Sequence, residues 1–272
     1  MSLPHQSRLI ALLLVCSTLQ LGQPVPATAQ SAAAQQPPPP ASRKQVAEKP
    51  QPGPEKQPDH AGEAFVVEQL KTSFRFEKDG TGQREMSLRA KIQSEAGVEG
   101  FGQLVFPYTS ANEKLEIDYV RVHKAGGVVV TAPASSVQDL TAPLASGARI
   151  YTDLRQKHVT VPGLRPGDVL EYHVVWRLHT PLAPNHFWLE HSFLKEPFIV
   201  LDEQLEVDVP LDSALKLKTE PGLEAVNKEQ GGRRIYSWKH ANLKRQEPDK
   251  SASRKTESDE PKPPHVQMST FK

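Results

Sequence analysis

Residues 70–92 read LKTSFRFEKDGTGQREMSLRAKI, and apolar side chains alternate with polar ones on both sides of an Asp-Gly pair. A period of two is typical of strands that bury one face and expose the other. The Asp79-Gly80 pair tolerates the positive φ that a tight turn between two such strands requires. These residues therefore predict an antiparallel β-hairpin.

The same period continues through most of the chain that follows. It predicts further strands at residues 101–108, 115–123, 128–131, 158–161, 169–178, 187–193, 205–209 and 234–240. In one of them the apolar phase changes between Tyr119 and Val120, which predicts a bulge or burial of both faces. The best helix candidate is short, at Ser135–Leu140. Many antiparallel strands with little helix predict an all-β fold, an antiparallel two-sheet β-sandwich.

The first residues of the chain resemble a secretory leader. Arg8 precedes an apolar run at Leu9–Leu14, and small residues before and at Ala29 predict cleavage after that residue. Ser17 interrupts the apolar character, so the run is too short for a stable membrane span. Residues 1–29 are therefore predicted to be a signal peptide, and the protein is expected in the periplasm or at the cell surface.

The only cysteine of the chain, Cys16, lies inside the predicted signal peptide. Its removal would leave a mature protein without a thiol, which excludes cysteine nucleophiles and disulfide bonds there. A lipoprotein would instead carry Cys16 as its acylated first residue, but the preceding Val15 is branched where a small residue is expected. The mature domain must then be held together by its apolar core.

Composition divides the remaining chain into three parts. Residues 30–60 are rich in Pro, Ala and Gln, so they predict a disordered linker. Residues 61–246 form the predicted β-sandwich domain, and residues 247–272 the charged linker and the start of a further C-terminal domain. The formal net charge of +1 arises from mixed charges, so no nucleic-acid partner is expected.

No catalytic, metal-binding or cofactor-binding pattern is found in the sequence. There is no Gly-x-Ser-x-Gly motif, and the spacings of His173, His179, His186 and His191 match no zinc motif. Among the aromatic residues, Trp176 shares the apolar phase of its strand and is expected in the core. Trp188 lies between two apolar residues and is the candidate for an exposed aromatic that contacts a glycan or a peptide.

Three motifs occur in order along the chain: IYTDLR at 150–155, VTVPGL at 159–164 and GDVLEY at 167–172. They resemble the family called domain of unknown function 3857, an exported β-domain that commonly precedes a transglutaminase-like domain. The resemblance extends over Glu63–Lys272, and Val266–Phe271 is similar to the family's bridge into the catalytic domain. It implies that any catalytic Cys, His and Asp would lie beyond residue 272.

These observations predict an exported, non-catalytic β-sandwich module rather than an enzyme. The module would position or regulate a transglutaminase-like domain of the cysteine-protease fold, supplied in cis or in trans. The alternative is a free-standing, tethered domain with an adhesive role or with a glycan or peptide as its ligand.

Overall fold

A computed structural model describes residues 60–142, 153–195, 197–244 and 265–271. The predicted signal peptide, most of the Pro-rich linker and the charged segment at 247–264 lie outside the described residues. The strands are β1 (Phe65–Phe76), β2 (Gly82–Ile92), β3 (Gln103–Thr109), β4 (Glu113–His123), β5 (Val129–Thr131), β6 (Val137–Thr141), β7 (Leu154–Thr160), β8 (Val169–Leu178), β9 (Trp188–Ser192), β10 (Val200–Pro210), β11 (Lys216–Thr219), β12 (Val226–Gln230), β13 (Arg233–Asn242) and β14 (His265–Ser269). The described residues also form a helix, α1 (Glu95–Phe101), and a 3-10 turn (Ala134–Ser136). None of the helices in the described ranges is long and apolar enough to span a membrane.

An eight-stranded sheet forms the larger layer, in the order β12-β13-β10-β1-β2-β8-β4-β5. The predicted hairpin is confirmed as β1 and β2, which pair from Phe65 opposite Ile92 to Phe76 opposite Gly82. Its two strands lie inside the sheet rather than at an edge. The β1–β10 pair is parallel, whereas the other neighbours in this sheet are antiparallel.

Two three-stranded sheets, β3-β7-β6 and β11-β14-β9, form the second layer. Strand register places Leu88 and Leu205 on one face of the large sheet, because Leu70 is opposite Leu88 and Thr72 is opposite Leu205. Leu88 belongs to the first apolar core, under the first small sheet, and Leu205 to the second. The predicted all-β fold is confirmed, with the second layer divided into two sheets.

The opposite face of the large sheet is polar and open. Three arginines on it, Arg75, Arg89 and Arg177, are half-exposed, and each contacts a carboxylate. The distances are 3.0 Å from Arg75 to Asp208, 2.8 Å from Arg89 to Glu68 and 3.1 Å from Arg177 to Glu116. These three cations are therefore compensated by anions of the protein itself.

One local prediction is wrong, one element was not predicted and one local prediction is confirmed. The helix predicted at Ser135–Leu140 is wrong, because this segment continues from the 3-10 turn into β6 and pairs with β7. The helix α1 was not predicted. The phase change in β4 is confirmed as a register shift between Ile117 and Tyr119.

The predicted domain boundary at residue 246 is too early. Residues 265–269, expected at the start of another domain, form β14 between β11 and β9. Val266 and Met268 of this strand are fully buried in the second core. The β-domain therefore extends to at least Phe271.

Candidate ligand cleft

A cleft of about 250 Å³ lies on the covered side of the large sheet, between the two small sheets. The end of β3 lines one wall, the beginning of β9 lines the other, and β2 contributes to the base. Its main side chains are those of Arg84, Tyr108, Asn112, Leu182, Phe187 and Trp188. We call this feature the Arg84 cleft.

Arg84 is a cation on the apolar face of β2, opposite Phe74 in β1 and Trp176 in β8. Its Cζ lies 3.8 Å from the centroid of the Trp176 ring, a cation–π contact. The Nε atom is buried without a hydrogen-bond partner. Burial lowers the pKa of Arg84 to about 10, although the nearby Glu113 carboxylate opposes this shift. The guanidinium is thus desolvated and poorly compensated.

An unsatisfied acceptor lies in the same cleft. Asn112, in the turn between β3 and β4, is buried, and its Oδ1 has no hydrogen-bond partner. The backbone carbonyl of Asn112 accepts from the N–H of His179 at 3.0 Å, which fixes the turn against the end of β8. Buried polar atoms normally have partners, and Arg84 and Asn112, which line this cleft, each carry one that has none.

The loop between β8 and β9, which carries one wall, is held against the β1–β2 turn. Gly80 in that turn has φ of 90°, and a Cβ added there would lie 2.7 Å from the carbonyl oxygen of His186. The N–H of Asn185 donates to the carbonyl of Asp79 at 2.9 Å. The rings of Phe187 and Phe76 stack at 4.4 Å. These contacts fix the position at which β9 begins.

Trp188 is the first residue of β9 and is 47% exposed. Its ring lies 5.6 Å from that of Phe271, and it also lines a groove of about 330 Å³ on the β11-β14-β9 sheet. Leu182 is 71% exposed beside the cleft. The exposure expected for Trp188 is observed, and its contact with a ligand stays a prediction. Trp176 is buried, as its phase indicated.

The four histidines singled out in the sequence do not converge. His173 lies on the open face, 2.7 Å from Asp118, whereas His186 lines the Arg84 cleft and His191 is buried in the second core region. In the described ranges, no three His, Cys, Asp or Glu side chains are placed to hold a metal ion.

His191 instead lies beside a buried carboxylate. Glu203 is fully buried, with Oε1 at 3.8 Å from His191 Nε2 and Oε2 at 3.7 Å from His240 Nδ1. Both distances exceed hydrogen-bonding range. The N–H of Leu194 donates to Oε2 at 2.9 Å and gives the carboxylate a direct partner. We interpret this cluster as structural.

The sequence pattern does contain a signal for Arg84, which was not predicted as a site residue. It lies two residues before Met86 and continues the apolar phase of Leu88, Ala90 and Ile92. A charge at an apolar-phase position is unusual because the side chain must enter the core side of the sheet. Asn112 gave no such signal, since polar residues are common in turns.

The fold and the cleft define a β-domain with one covered and one open sheet face, and comparison identifies its family. The profile described as a domain of unknown function with a solved structure (DUF3857) matches residues 78–247, more than half of the chain. The chain belongs to this family. No curated protein matches it.

One solved structure shares the fold of this chain. A candidate protease from Parabacteroides distasonis superposes with a TM-score of 0.66 at 17% identity, covering 76% of this chain and 40% of that protein. The chain thus spans about two fifths of that protein's length. An M1 zinc metallopeptidase from Deinococcus radiodurans gives a TM-score of 0.35 at 11% identity, covering 65% of this chain and 39% of that one, which is too low for an argument.

Proposed function

We propose that this chain is a non-catalytic β-domain that binds and positions a transglutaminase-like catalytic domain, supplied in cis or in trans. In this role it supplies no catalytic residue of its own. We place the function outside the cytoplasm, following the leader predicted at residues 1–29. Membership of the DUF3857 family supports the proposal, as does the fold shared with a longer candidate protease.

The observation that carries the proposal is the Arg84 cleft. The cleft combines a desolvated cation with exposed apolar side chains at Leu182 and Trp188. Exposed aromatic and arginine side chains are enriched where proteins bind one another. On the open face, by contrast, Arg75, Arg89 and Arg177 have carboxylate partners within the domain. The cleft is therefore the surface best suited to a partner.

The proposal is tested first by sequencing the DNA downstream of the Lys272 codon and in the neighbouring genes. A domain with Cys, His and Asp in transglutaminase order is expected there. That domain is then co-produced with residues 60–272, and complex formation is measured by size-exclusion chromatography with light scattering. We expect a stoichiometric complex, or a single rigid particle if both domains share one chain.

Variants then locate the contact surface. Trp188→Ser and Leu182→Ser are expected to weaken the complex at least tenfold, because they remove exposed apolar area from one wall of the cleft. Arg89→Met changes the open face of the same sheet and is the matched control. Equal affinity of the cleft variants and the control, or absence of any such catalytic domain, would reject the proposal.

The exposed ring of Trp188 favours a second function, a tethered glycan-binding or peptide-binding domain. The ring borders the outer groove together with Lys216, Lys218 and Gln267, which supply hydrogen-bonding groups beside an aromatic face. Aromatic faces with a few polar groups are typical of ligand sites. Saturable quenching of tryptophan fluorescence by an oligosaccharide, lost in Trp188→Ser, would support this function over the first.

A further inference from the structure

We infer that the Arg84 cleft is a peptide-carboxylate site, in which Arg84 donates to the carboxylate and Asn112 Oδ1 accepts an N–H of the same segment. The inference deepens the proposed function by naming what the cleft recognises. It relies on the proposed function only for the source of the segment, since the ligand chemistry follows from the cleft alone.

The Arg84 guanidinium gives the site its positive charge. The Arg84 side chain forms no hydrogen bond or ion pair with the described residues, and its Nε is buried. The Glu113 carboxylate also lines the cleft and acts on Arg84 through space, while its Oε2 accepts from the Thr109 N–H at 2.9 Å. A guanidinium in a partly desolvated cleft binds an anion more strongly than an exposed one does. A carboxylate matches its planar fork of donors.

The site also contains one donor and one acceptor without a partner. Asn112 Oδ1 lacks a donor and Arg84 Nε lacks an acceptor, and both residues line the same cleft. Inorganic anions provide acceptors only, whereas a peptide provides a carboxylate together with N–H groups. The two unsatisfied atoms therefore favour a peptide over a simple anion.

The volume of the cleft and its apolar side chains limit which ligand it can hold. A volume of about 250 Å³ is below that of a typical drug-sized site and accommodates one or two side chains. Leu182, Phe187 and Trp188 supply apolar surface next to the cation. The ligand is thus expected to carry an apolar residue beside its acidic group.

The test uses residues 60–272 and three dipeptides, each acetylated at the amino end. Leu-Glu amide carries a side-chain carboxylate, Leu-Gln amide carries none, and Leu-Gln with a free carboxyl end carries a terminal carboxylate. Binding is measured by calorimetry and by tryptophan fluorescence, because Trp176 lies under the guanidinium and Trp188 lies in the wall. Both carboxylate peptides are expected to bind at least tenfold more tightly than the neutral amide.

Whichever carboxylate peptide binds more tightly identifies the source, a side chain or a chain end. Arg84→Met is expected to reduce the preference for carboxylate at least tenfold, and Asn112→Leu to weaken all three peptides. Arg84→Lys keeps the charge without the planar fork, so an intermediate loss is expected, and this variant covers the case in which Arg84→Met does not fold. Arg89→Met, on the same strand but facing the open side, is expected to bind as the unchanged protein does.

Equal affinity for Leu-Glu amide and Leu-Gln amide would overturn the inference, as would unchanged binding by Arg84→Met. Absence of binding by all peptides at about 10 mM would also overturn it. Failure of the proposed function gives a different result. In that case the peptides bind with the expected preference, but no catalytic domain forms a complex with the chain.

Discussion

Arg84 and Glu203 occupy positions at which their strands otherwise present apolar side chains to the covered face. Glu203 alternates with Leu205 and Val207 along β10, just as Arg84 alternates with Met86 and Leu88 along β2. Glu203 has a backbone donor in Leu194, whereas Arg84 Nε has none. Oε1 of Glu203 has no hydrogen-bond partner either, so the two charges differ in degree: the Glu203 carboxylate keeps one direct donor, whereas the Arg84 side chain has no hydrogen-bond partner among the described residues.

The ligand-free domain is expected to become more stable when Arg84 is replaced by Met. A pKa lowered from 12.5 to about 10 corresponds to about 3 kcal/mol of unfavourable desolvation at neutral pH. Loss of the cation–π contact with Trp176 removes up to about 2 kcal/mol of stabilisation. We therefore expect the free energy of unfolding, measured in urea, to rise by about 1 kcal/mol.

Arg89→Met is the control for this measurement. Arg89 is half-exposed and forms a surface ion pair with Glu68, so its loss is expected to change stability by less than about 1 kcal/mol. A marked loss of stability in Arg84→Met, with no change in the control, would show that the guanidinium is a structural element of the free domain.

At the scale of elements, the short helix α1 contains two glycines with opposite expected behaviour. A Cβ at Gly97 would lie 2.3 Å from the carbonyl oxygen of Ala64, whereas a Cβ at Gly100 would meet nothing within 4 Å. Gly97→Ala is therefore expected to destabilise the domain by about 1–3 kcal/mol, because the backbone must move. Gly100→Ala is expected to stabilise it by up to about 1 kcal/mol through helix propensity.

Thermal unfolding followed by circular dichroism compares the two variants directly. Both substitutions replace glycine by alanine in the same helix, so the gain in helix propensity is similar in the two variants. The difference between their unfolding temperatures therefore reports the contact of residue 97 with Ala64. If both variants shifted the unfolding temperature upward together, α1 would not pack against Ala64 in solution.

Long, half-buried elements could be predicted from the sequence because their alternation is visible. β8 was predicted with the bounds that the structure has, Val169–Leu178. β12 is exposed at all of its residues and shows no alternation of apolar and polar side chains, whereas Leu215 to Lys218 alternate but β11 has only four residues. The helix α1 has seven residues, too few for a helical period to emerge. The strand β14 was missed because a charged segment separates it from the rest of the domain.

The candidate site was only partly predictable. Exposure of Trp188 could be inferred locally, because apolar residues on both sides of it leave its phase undefined. The cleft could not be inferred, because it depends on the order of strands in three sheets. Arg84 and Trp188 line one cleft only because β8 pairs with β2 and its following loop returns over the β1–β2 turn.

At the scale of the whole molecule, Tyr172 makes the stability of the domain depend on pH in the alkaline range. Its side chain is buried beneath the β3-β7-β6 sheet, and burial raises the pKa of its hydroxyl above the ordinary value of 10.0. In the unfolded chain the hydroxyl ionises first, so the native state holds more protons above that pH. The stability due to this group is complete below pH 10 and is lost as pH rises further.

Tyr172→Phe is therefore expected to make the alkaline decline in stability shallower. Urea unfolding at several pH values between about 9 and 11 gives the slope for each protein. Arg84, whose native pKa is lowered, contributes an opposite slope above pH 10, but this contribution is common to both proteins and cancels in the comparison. Identical slopes for the two proteins would mean that the Tyr172 hydroxyl is accessible to solvent.

The parallel pairing of β1 with β10 has a consequence for how the domain acquires its structure. Partners in this pair, such as Thr72 and Leu205, are more than half of the described domain apart in sequence. A chain that emerges amino end first can close the β1–β2 hairpin early, yet the centre of the large sheet stays incomplete until β10 arrives. Because contacts this distant in sequence slow folding, the domain is expected to fold late and cooperatively, after nearly all of its strands are available. An unfolded form that persists through synthesis is thus a property of the strand order itself.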